Sequence, residues 1–226
     1  MTTILVTGAN RGIGLEFVRQ YAAAGAGVIA CCRKPAEAKE LHALPKGVRV
    51  MELEVRDASS AARLAQALKG EAIDILINNA GVYGPEELSA SESYYEEFAD
   101  TFRVNSIGPL IVSQTLHENL VRGRDKKLAI LTSRMGSIAE HGGGSLAYRA
   151  SKAAVNSIAR GLARDWAGDG ILVAILHPGW VKTDMGGPGA LITPQESVRG
   201  LRARIAELNA KTTGHYLDYQ GKEIAW

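Results

Sequence analysis

Short runs rich in valine, isoleucine and leucine recur along the whole chain, separated by longer stretches of helical periodicity, and few folds accommodate that alternation. The runs are TILVTG (3–8), GVIACC (27–32), VRVMELEV (48–55), IDILINN (73–79), KLAILTS (127–133) and ILVAILHPG (171–179). Most are continuous rather than alternating, as expected of parallel strands covered on both faces. The stretches between them predict helices over about 12–24, 58–69, 92–122 and 148–167, and a last one over about 194–209. HYLDY (215–219) is a candidate seventh strand. Strand–helix–strand units with right-handed crossovers put their helices on both faces of one sheet. The expected architecture is α/β, a doubly wound and mostly parallel sheet of six or seven strands.

No linker composition, low-complexity tract or repeat divides the 226 residues, so 1–226 reads as a single domain. A net charge of +2 is too small to point to nucleic acid or an anionic membrane. The basic stretch VRGRDKK (121–127) reads as a solvated loop. Cys31 and Cys32 are adjacent, a spacing that bridges only with strain, and they read as buried strand residues in a reducing compartment. His42, His117, His141, His177 and His215 lack metal-ligand spacing, so no metal is expected. The start MTTILVTGAN has neither the basic segment nor the long apolar core of a signal peptide, and no apolar run approaches bilayer length. A cytoplasmic protein is the expectation.

Ligands of a doubly wound sheet bind beyond the carboxyl ends of its strands. After the first strand, VTGANRGIGLEF (6–17) joins Gly8, Gly12 and Gly14 to the start of a helix. Such a turn admits a ligand close to the backbone and offers free N–H groups to a pyrophosphate, which makes the domain Rossmann-type. The spacing is G-x-x-x-G-x-G, and a glycine turn without a ligand is the competing reading. After the second strand, ACCRKP has no carboxylate for a ribose 2′-hydroxyl. Arg33 and Lys34 follow at once, and Arg11 stands inside the glycine turn. Guanidinium groups from two segments suit a 2′-phosphate, which predicts NADP(H) in preference to NAD(H). Lys34 reads equally well as an exposed base.

The fourth strand leads into ILINNAGVYG (75–84), where the amides of Asn78 and Asn79 can tie neighbouring strands and Ala80 and Gly81 leave room for a cofactor. In FRVNSIGPL (102–110), Asn105 falls inside a predicted helix that its propensity disfavours, and Gly108-Pro109 predicts a kink. The fifth strand ends at Thr132-Ser133, which brings a hydroxyl to the sheet edge. Tyr148 and Lys152 follow, four apart on one helix face. With seven tyrosines in the chain, average usage produces such a pair by accident about a third of the time, so its meaning depends on the other strand ends.

In order, Thr7-Gly8-x-x-x-Gly12-x-Gly14, Asn78-Asn79-Ala80-Gly81, Asn105, Ser133, Tyr148-x-x-x-Lys152 and Pro178-Gly179 resemble the short-chain dehydrogenase/reductase family, across essentially the whole chain. GSLAYRASKAAVN, HPGWVKTDMGG and YQGKEIAW are most similar to the branch of sniffer-type carbonyl reductases and bacterial C-factor proteins. The resemblance implies a catalytic set of Asn105, Ser133, Tyr148 and Lys152. Tyr148 would donate a proton, with its pKa lowered by the Lys152 ammonium and an oxidised nicotinamide. Lys152 would also bond the ribose, Ser133 would hold the substrate oxygen, and Asn105 would hold a water linking Lys152 to solvent. Further cofactor contacts are implied for Gly8, Asn10, Arg11, Gly12, Ile13 and Gly14, for Arg33, and for Glu54 and Val55 near the adenine. Others fall to Asn79, Ala80 and Gly81, to Tyr148 and Lys152, and to Pro178, Gly179, Val181 and Thr183 beside the nicotinamide. Tyr83, His141, Trp180 and Met185 are candidates for the substrate pocket, a plain loop role being equally open for His141 and Met185.

The chain departs from the family pattern in places. Glu54 stands where an aspartate is usual, and Thr132-Ser133 replaces a Ser-Ser pair. EHGGGSLA (140–147) lengthens the interval between serine and tyrosine and makes Ser137 a rival, with Ser133 preferred for its seat on the strand end. The region of about 183–210 reads as a short substrate lid over an open pocket.

The activity expected is NADP(H)-dependent interconversion of a small-molecule carbonyl and its alcohol. A C-factor-like dinucleotide sensor or signalling protein on the same fold is the alternative, weakened by the intact Asn, Ser, Tyr and Lys set. Epimerases and dehydratases of the extended relatives want a longer chain. Family habit implies a homodimer or homotetramer through helices about 92–122 and 148–167, with neither nucleic acid nor membrane as partner.

Overall fold

The computed structural model describes residues 1–44 and 47–226. Along the chain run β1 (Thr3–Thr7), α1 (Gly12–Ala23), β2 (Gly27–Cys32), α2 (Lys39–His42), β3 (Val48–Glu52), α3 (Ala58–Ala67) and β4 (Ile75–Asn78). Then come α4 (Glu92–Phe102), α5 (Gly108–Thr115), α6 (His117–Arg122), β5 (Lys127–Leu131), α7 (Leu146–Asp165), β6 (Leu172–His177), α8 (Pro194–Glu207) and β7 (Tyr216–Asp218). Among the described residues the strands form one sheet in the order β3-β2-β1-β4-β5-β6-β7. Every pairing is parallel, including that of the short β7 with β6. The order reverses between β1 and β4, and a crevice opens where their following segments part.

Successive strand residues point to opposite faces, so each apolar run feeds two cores. In β1, Leu5 joins one core while Ile4 and Val6 join the other. Cys31 and Cys32 divide in the same way, buried on opposite faces with free thiols. Val112 of α5, Leu120 of α6 and Val155 of α7 close the first core. Phe17 and Val18 of α1, with Val198 and Leu201 of α8, close the second.

Local chemistry starts several helices. Asp57 accepts from the Ser59 N–H at α3, Ser91 from Tyr94 N–H at α4, and Thr193 from Glu196 N–H at α8, which opens on Pro194. At α1 the N-cap residue Arg11 contributes no side-chain bond, and no acid stands in the first turn. The free N–H groups of that terminus face the crevice.

The long helix expected over 92–122 is divided. Residues 103–107 form a π-helical turn in which the Gly108 N–H bonds the Arg103 carbonyl, five residues back. Pro109 has no N–H to return to the carbonyl of Asn105, four residues earlier, so the ordinary ladder cannot continue there. The distortion expected at Gly108-Pro109 thus falls one turn earlier, with Asn105 at its centre. Of the stretch about 183–210, expected to act as a lid, α8 buries Val198, Leu201 and Ile205 in the second core. What remains, 183–192, is fastened by the Val181–Ile192 bridge and by Leu191 and Ile192 N–H groups on the Trp180 carbonyl. Among the described residues no helix is long and apolar enough to cross a membrane.

Phe17 is fully buried where α1 meets the sheet. Phe17→Ala is expected to cost about 3–5 kcal/mol, read from the urea midpoint at constant m-value; a loss under about 1 kcal/mol would contradict this packing.

Candidate active site

The turn after β1 is closed from across the switch point. The Thr7 hydroxyl accepts from the Asn79 and Ala80 N–H groups, at 3.1 Å each. The Asn79 amide donates to the Thr7 and Gly8 carbonyls, at 2.9 and 3.1 Å. Gly8 has φ +63°, and a Cβ there would come within 2.9 Å of Ala80 Cα. A Cβ on Gly14 would collide with the Gly8 carbonyl and the Asn79 amide. Asn78 instead donates to the Ser113 hydroxyl at 2.9 Å and so anchors α5.

A cleft of about 570 Å³ runs outward from this turn. Gly8, Asn10, Arg11, Gly12 and Ile13 line it on one side, and Asn79, Ala80 and Gly81 on another. Arg33, Glu54, Val55, Thr183 and Met185 complete the predicted residues found there. Gly14 is packed beneath the turn. Arg33 has no acidic partner among the described residues, whereas Arg11 reaches across the mouth to Asp184 at 3.0 Å. The pair is exposed, of a kind that contributes at most about 1 kcal/mol. An uncapped helix terminus, a glycine cradle and a free guanidinium are a donor set that fits a dinucleotide phosphate.

Lys152 approaches the cleft wall at Gly81, where a Cβ would stand 3.7 Å from its Nζ. Tyr148, Lys152 and Ser133 are buried. Burial pushes the Tyr148 phenol up to about 12; the Ser133 hydroxyl lowers it and Tyr83 raises it. Burial lowers Lys152 to about 8. Its Nζ donates to the Leu131 carbonyl at 3.0 Å and stands 5.7 Å from the Tyr148 ring centroid. The lowering of Tyr148 expected from Lys152 is therefore not what the protein's own groups produce: desolvation of the phenolate dominates, and the one group that lowers the pKa is the Ser133 hydroxyl.

Ser133 and Ser137 differ in what they face. The Ser133 hydroxyl acts on Tyr148 and accepts from the Met135 N–H at 3.2 Å. Ser137 turns away to accept from the Glu140 N–H at 3.0 Å. Asn105 accepts from the Val82 N–H at 2.9 Å and donates to the Val82 carbonyl at 2.8 Å and the Ser151 hydroxyl at 3.0 Å. Ser151 donates in turn to the Tyr148 carbonyl at 2.8 Å.

Beyond β6, Gly179 has φ +85° and Val181 is buried. The Pro178 carbonyl accepts from Ser197 Oγ at 2.6 Å. Thr183 approaches the glycine turn, since a Cβ on Gly12 would meet its Cγ2 at 3.3 Å. The pocket candidates separate. The Tyr83 ring stacks on Tyr148, with centroids 4.7 Å apart. Trp180 is exposed and donates to the Gly186 carbonyl at 2.8 Å. His141 is exposed in the glycine-rich loop and accepts from the Gly143 N–H at 3.1 Å.

Several site residues escaped the sequence reading. Arg19, Arg56 and Lys182 also line the cleft, Arg56 paired with Glu54 and Asp100. Ser151 links the Asn105 amide to the Tyr148 carbonyl, and its i+3 position after Tyr148 was the available signal. Tyr216 of β7 donates from its hydroxyl to the Ser133 carbonyl, 83 positions away, and no local pattern reveals that contact.

A model of the short chain dehydrogenase family matches residues 2–189. C-signal of Myxococcus xanthus is 44% identical over 155 residues, 68% of this chain and 93% of that protein. An NADPH-bound carbonyl reductase from chicken fatty liver superposes with a TM-score of 0.91 at 34% identity, over 100% of this chain and 99% of that one. Carbonyl reductase Sniffer of D. melanogaster does so at 0.91 and 29% identity, over 100% of each chain. With the glycine turn, the asparagines and the Ser133–Tyr148–Lys152 cluster at one sheet edge, the chain belongs to the short-chain dehydrogenase/reductase family of oxidoreductases.

Proposed function

We propose that the protein is an NADP(H)-dependent carbonyl reductase, interconverting a ketone or aldehyde and its alcohol with Tyr148 as general acid and base. The observation that carries this reading is that Tyr148, Ser133 and Lys152 lie together, with Lys152 Nζ close to Gly81 on the wall of the glycine-turn cleft. Bound along that cleft, the reduced dinucleotide supplies a hydride to the carbonyl carbon. The chain's own groups handle the oxygen. Ser133 donates a hydrogen bond to it and offsets the charge that builds there. Tyr148, with a pKa of about 12, is protonated at neutral pH and releases its proton to that oxygen. Lys152, with a pKa of about 8, is mostly charged at pH 7 and stabilises the phenolate left behind. The preference for NADP(H) is supported by the unpaired Arg33 guanidinium at the cleft and by the NADPH of the chicken enzyme.

The identity with C-signal favours a second reading, in which dinucleotide binding serves signalling and turnover is secondary. The two part in one experiment: a panel of carbonyls at saturating NADPH, followed by nicotinamide absorbance. Tight NADPH binding with no turnover would select the sensor.

Tyr148→Phe should lower kcat by about 10²–10⁴-fold with NADPH affinity nearly unchanged, and retained activity would remove Tyr148 from its role. Ser133→Ala is expected to cost about 10²-fold in kcat while Ser137→Ala stays within a few-fold; the reverse ranking would exchange the two serines. The kcat/KM for reduction should fall as pH rises through about 8, because Lys152 loses its charge there, and a profile flat to pH 10 contradicts that role. Arg33→Ala should weaken NADPH binding by at least about tenfold and leave NADH untouched, as titrations with both nucleotides would reveal.

A further inference from the structure

We propose that Tyr83 is a specificity-determining residue, a fixed wall that occupies the open face of the Tyr148 ring and excludes carbonyl substrates that would stack there. The inference rests on the reading of Tyr148 as the proton donor, and goes beyond it by saying from which side a substrate reaches that donor.

The two rings are nearly parallel, 23° apart, with centroids at 4.7 Å. That is direct contact, and inserting a flat substituent between the rings would need almost twice the separation. Four attachments hold Tyr83 there. Its hydroxyl is within hydrogen-bond distance of Ser145 Oγ, at 3.0 Å, three residues before Tyr148 on the same helix start. Its chain neighbour Val82 is bonded through both N–H and carbonyl to Asn105. Asn105 continues through Ser151 to the Tyr148 carbonyl, so wall and catalytic ring share one frame. On the other side Gly84, at φ +77°, is pressed so closely on Thr101 that a Cβ would strike its hydroxyl. Ser145 itself has φ +45°, a backbone state uncommon for a residue with a side chain, and its hydroxyl meets Tyr83 from there.

A substrate therefore reaches the Tyr148 hydroxyl past the ring edge, not across its face. Carbonyls with compact or linear substituents on the Tyr83 side are admitted. An aryl group placed directly on the carbonyl needs the surface Tyr83 already covers. Removing the wall leaves a ring-sized slot on Tyr148, in which an aryl substrate recovers a stacking contact.

The test compares kcat/KM for propanal and benzaldehyde in the unaltered protein, Tyr83→Phe and Tyr83→Ala, with NADPH affinity measured in each. Tyr83→Ala should raise the benzaldehyde-to-propanal ratio roughly tenfold, and Tyr83→Phe, which keeps the stack, should hold it at the original value. NADPH affinity should stay constant throughout. An unchanged ratio in Tyr83→Ala, or an equal rise in Tyr83→Phe, overturns the proposal. Should alanine fail to fold, Tyr83→Leu takes its place with the same expectation. If the unaltered protein reduces neither aldehyde, it is the reductase reading that falls at these substrates. The wall is then judged by fluorine NMR of 4-fluorobenzyl alcohol with NADP: binding to Tyr83→Ala alone supports it, and equal binding to both proteins rejects it.

Discussion

The amide of Asn105 joins three segments: the π turn that carries it, the loop after β4 and the start of α7. It is 1% exposed, and every hydrogen bond it makes is to a group the site depends on. Through Val82 it holds the loop after β4, and through Ser151 it holds the first turns of α7. A buried amide that loses a partner costs about 1–3 kcal/mol, so the two segments move together or not at all. The π turn gives the side chain this reach. Pro109 cannot continue the helical ladder, the turn widens, and a polar residue that a regular helix would have to accommodate becomes a cross-brace.

The cleft asks for opposite electrostatics at its two ends. Outside, the uncapped α1 terminus, Arg11 and Arg33 border the cleft, and water screens the exposed Arg11–Asp184 pair. Inside, burial dominates and penalises whichever form is charged, which raises Tyr148 and lowers Lys152. On the proposed reading, Tyr148 keeps its proton until an oxygen more basic than its own arrives, and Lys152 stabilises the phenolate that remains. Ser133 is held for this task from behind, its carbonyl bonded by Tyr216 on the last strand. The short β7 is thus part of the support of the site as well as of the sheet.

Much of the site was legible because its residues follow strands directly. Gly8, Asn79, Ser133 and Pro178 each sit at the end of an apolar run, and parallel strands in one sheet bring their carboxyl ends to one edge. Tyr148 and Lys152 were legible as a pair because helical spacing holds across four residues. The break in the helix expected over 92–122 was legible only as a kink at Gly108-Pro109, since periodicity does not register the extra residue of a π turn. Arg11 and Arg33 line one cleft, but the partner of Arg11 was not legible. In the fold it spans to Asp184, a contact across 173 positions that no local spacing encodes.

By itself, the sequence determined the alternation of strands and helices, the glycine turn and the order of the strand-end residues, all of which depend on neighbours within a few positions. Tertiary structure alone decided that Ser133 faces Tyr148 while Ser137 turns away, that Ser151 links Asn105 to the first turn of α7, and that Tyr83 lies on the Tyr148 ring. Those outcomes depend on which surfaces meet when loops from different strands pack at the same edge. Packing is a property of the assembled volume, whereas periodicity is a property of the chain.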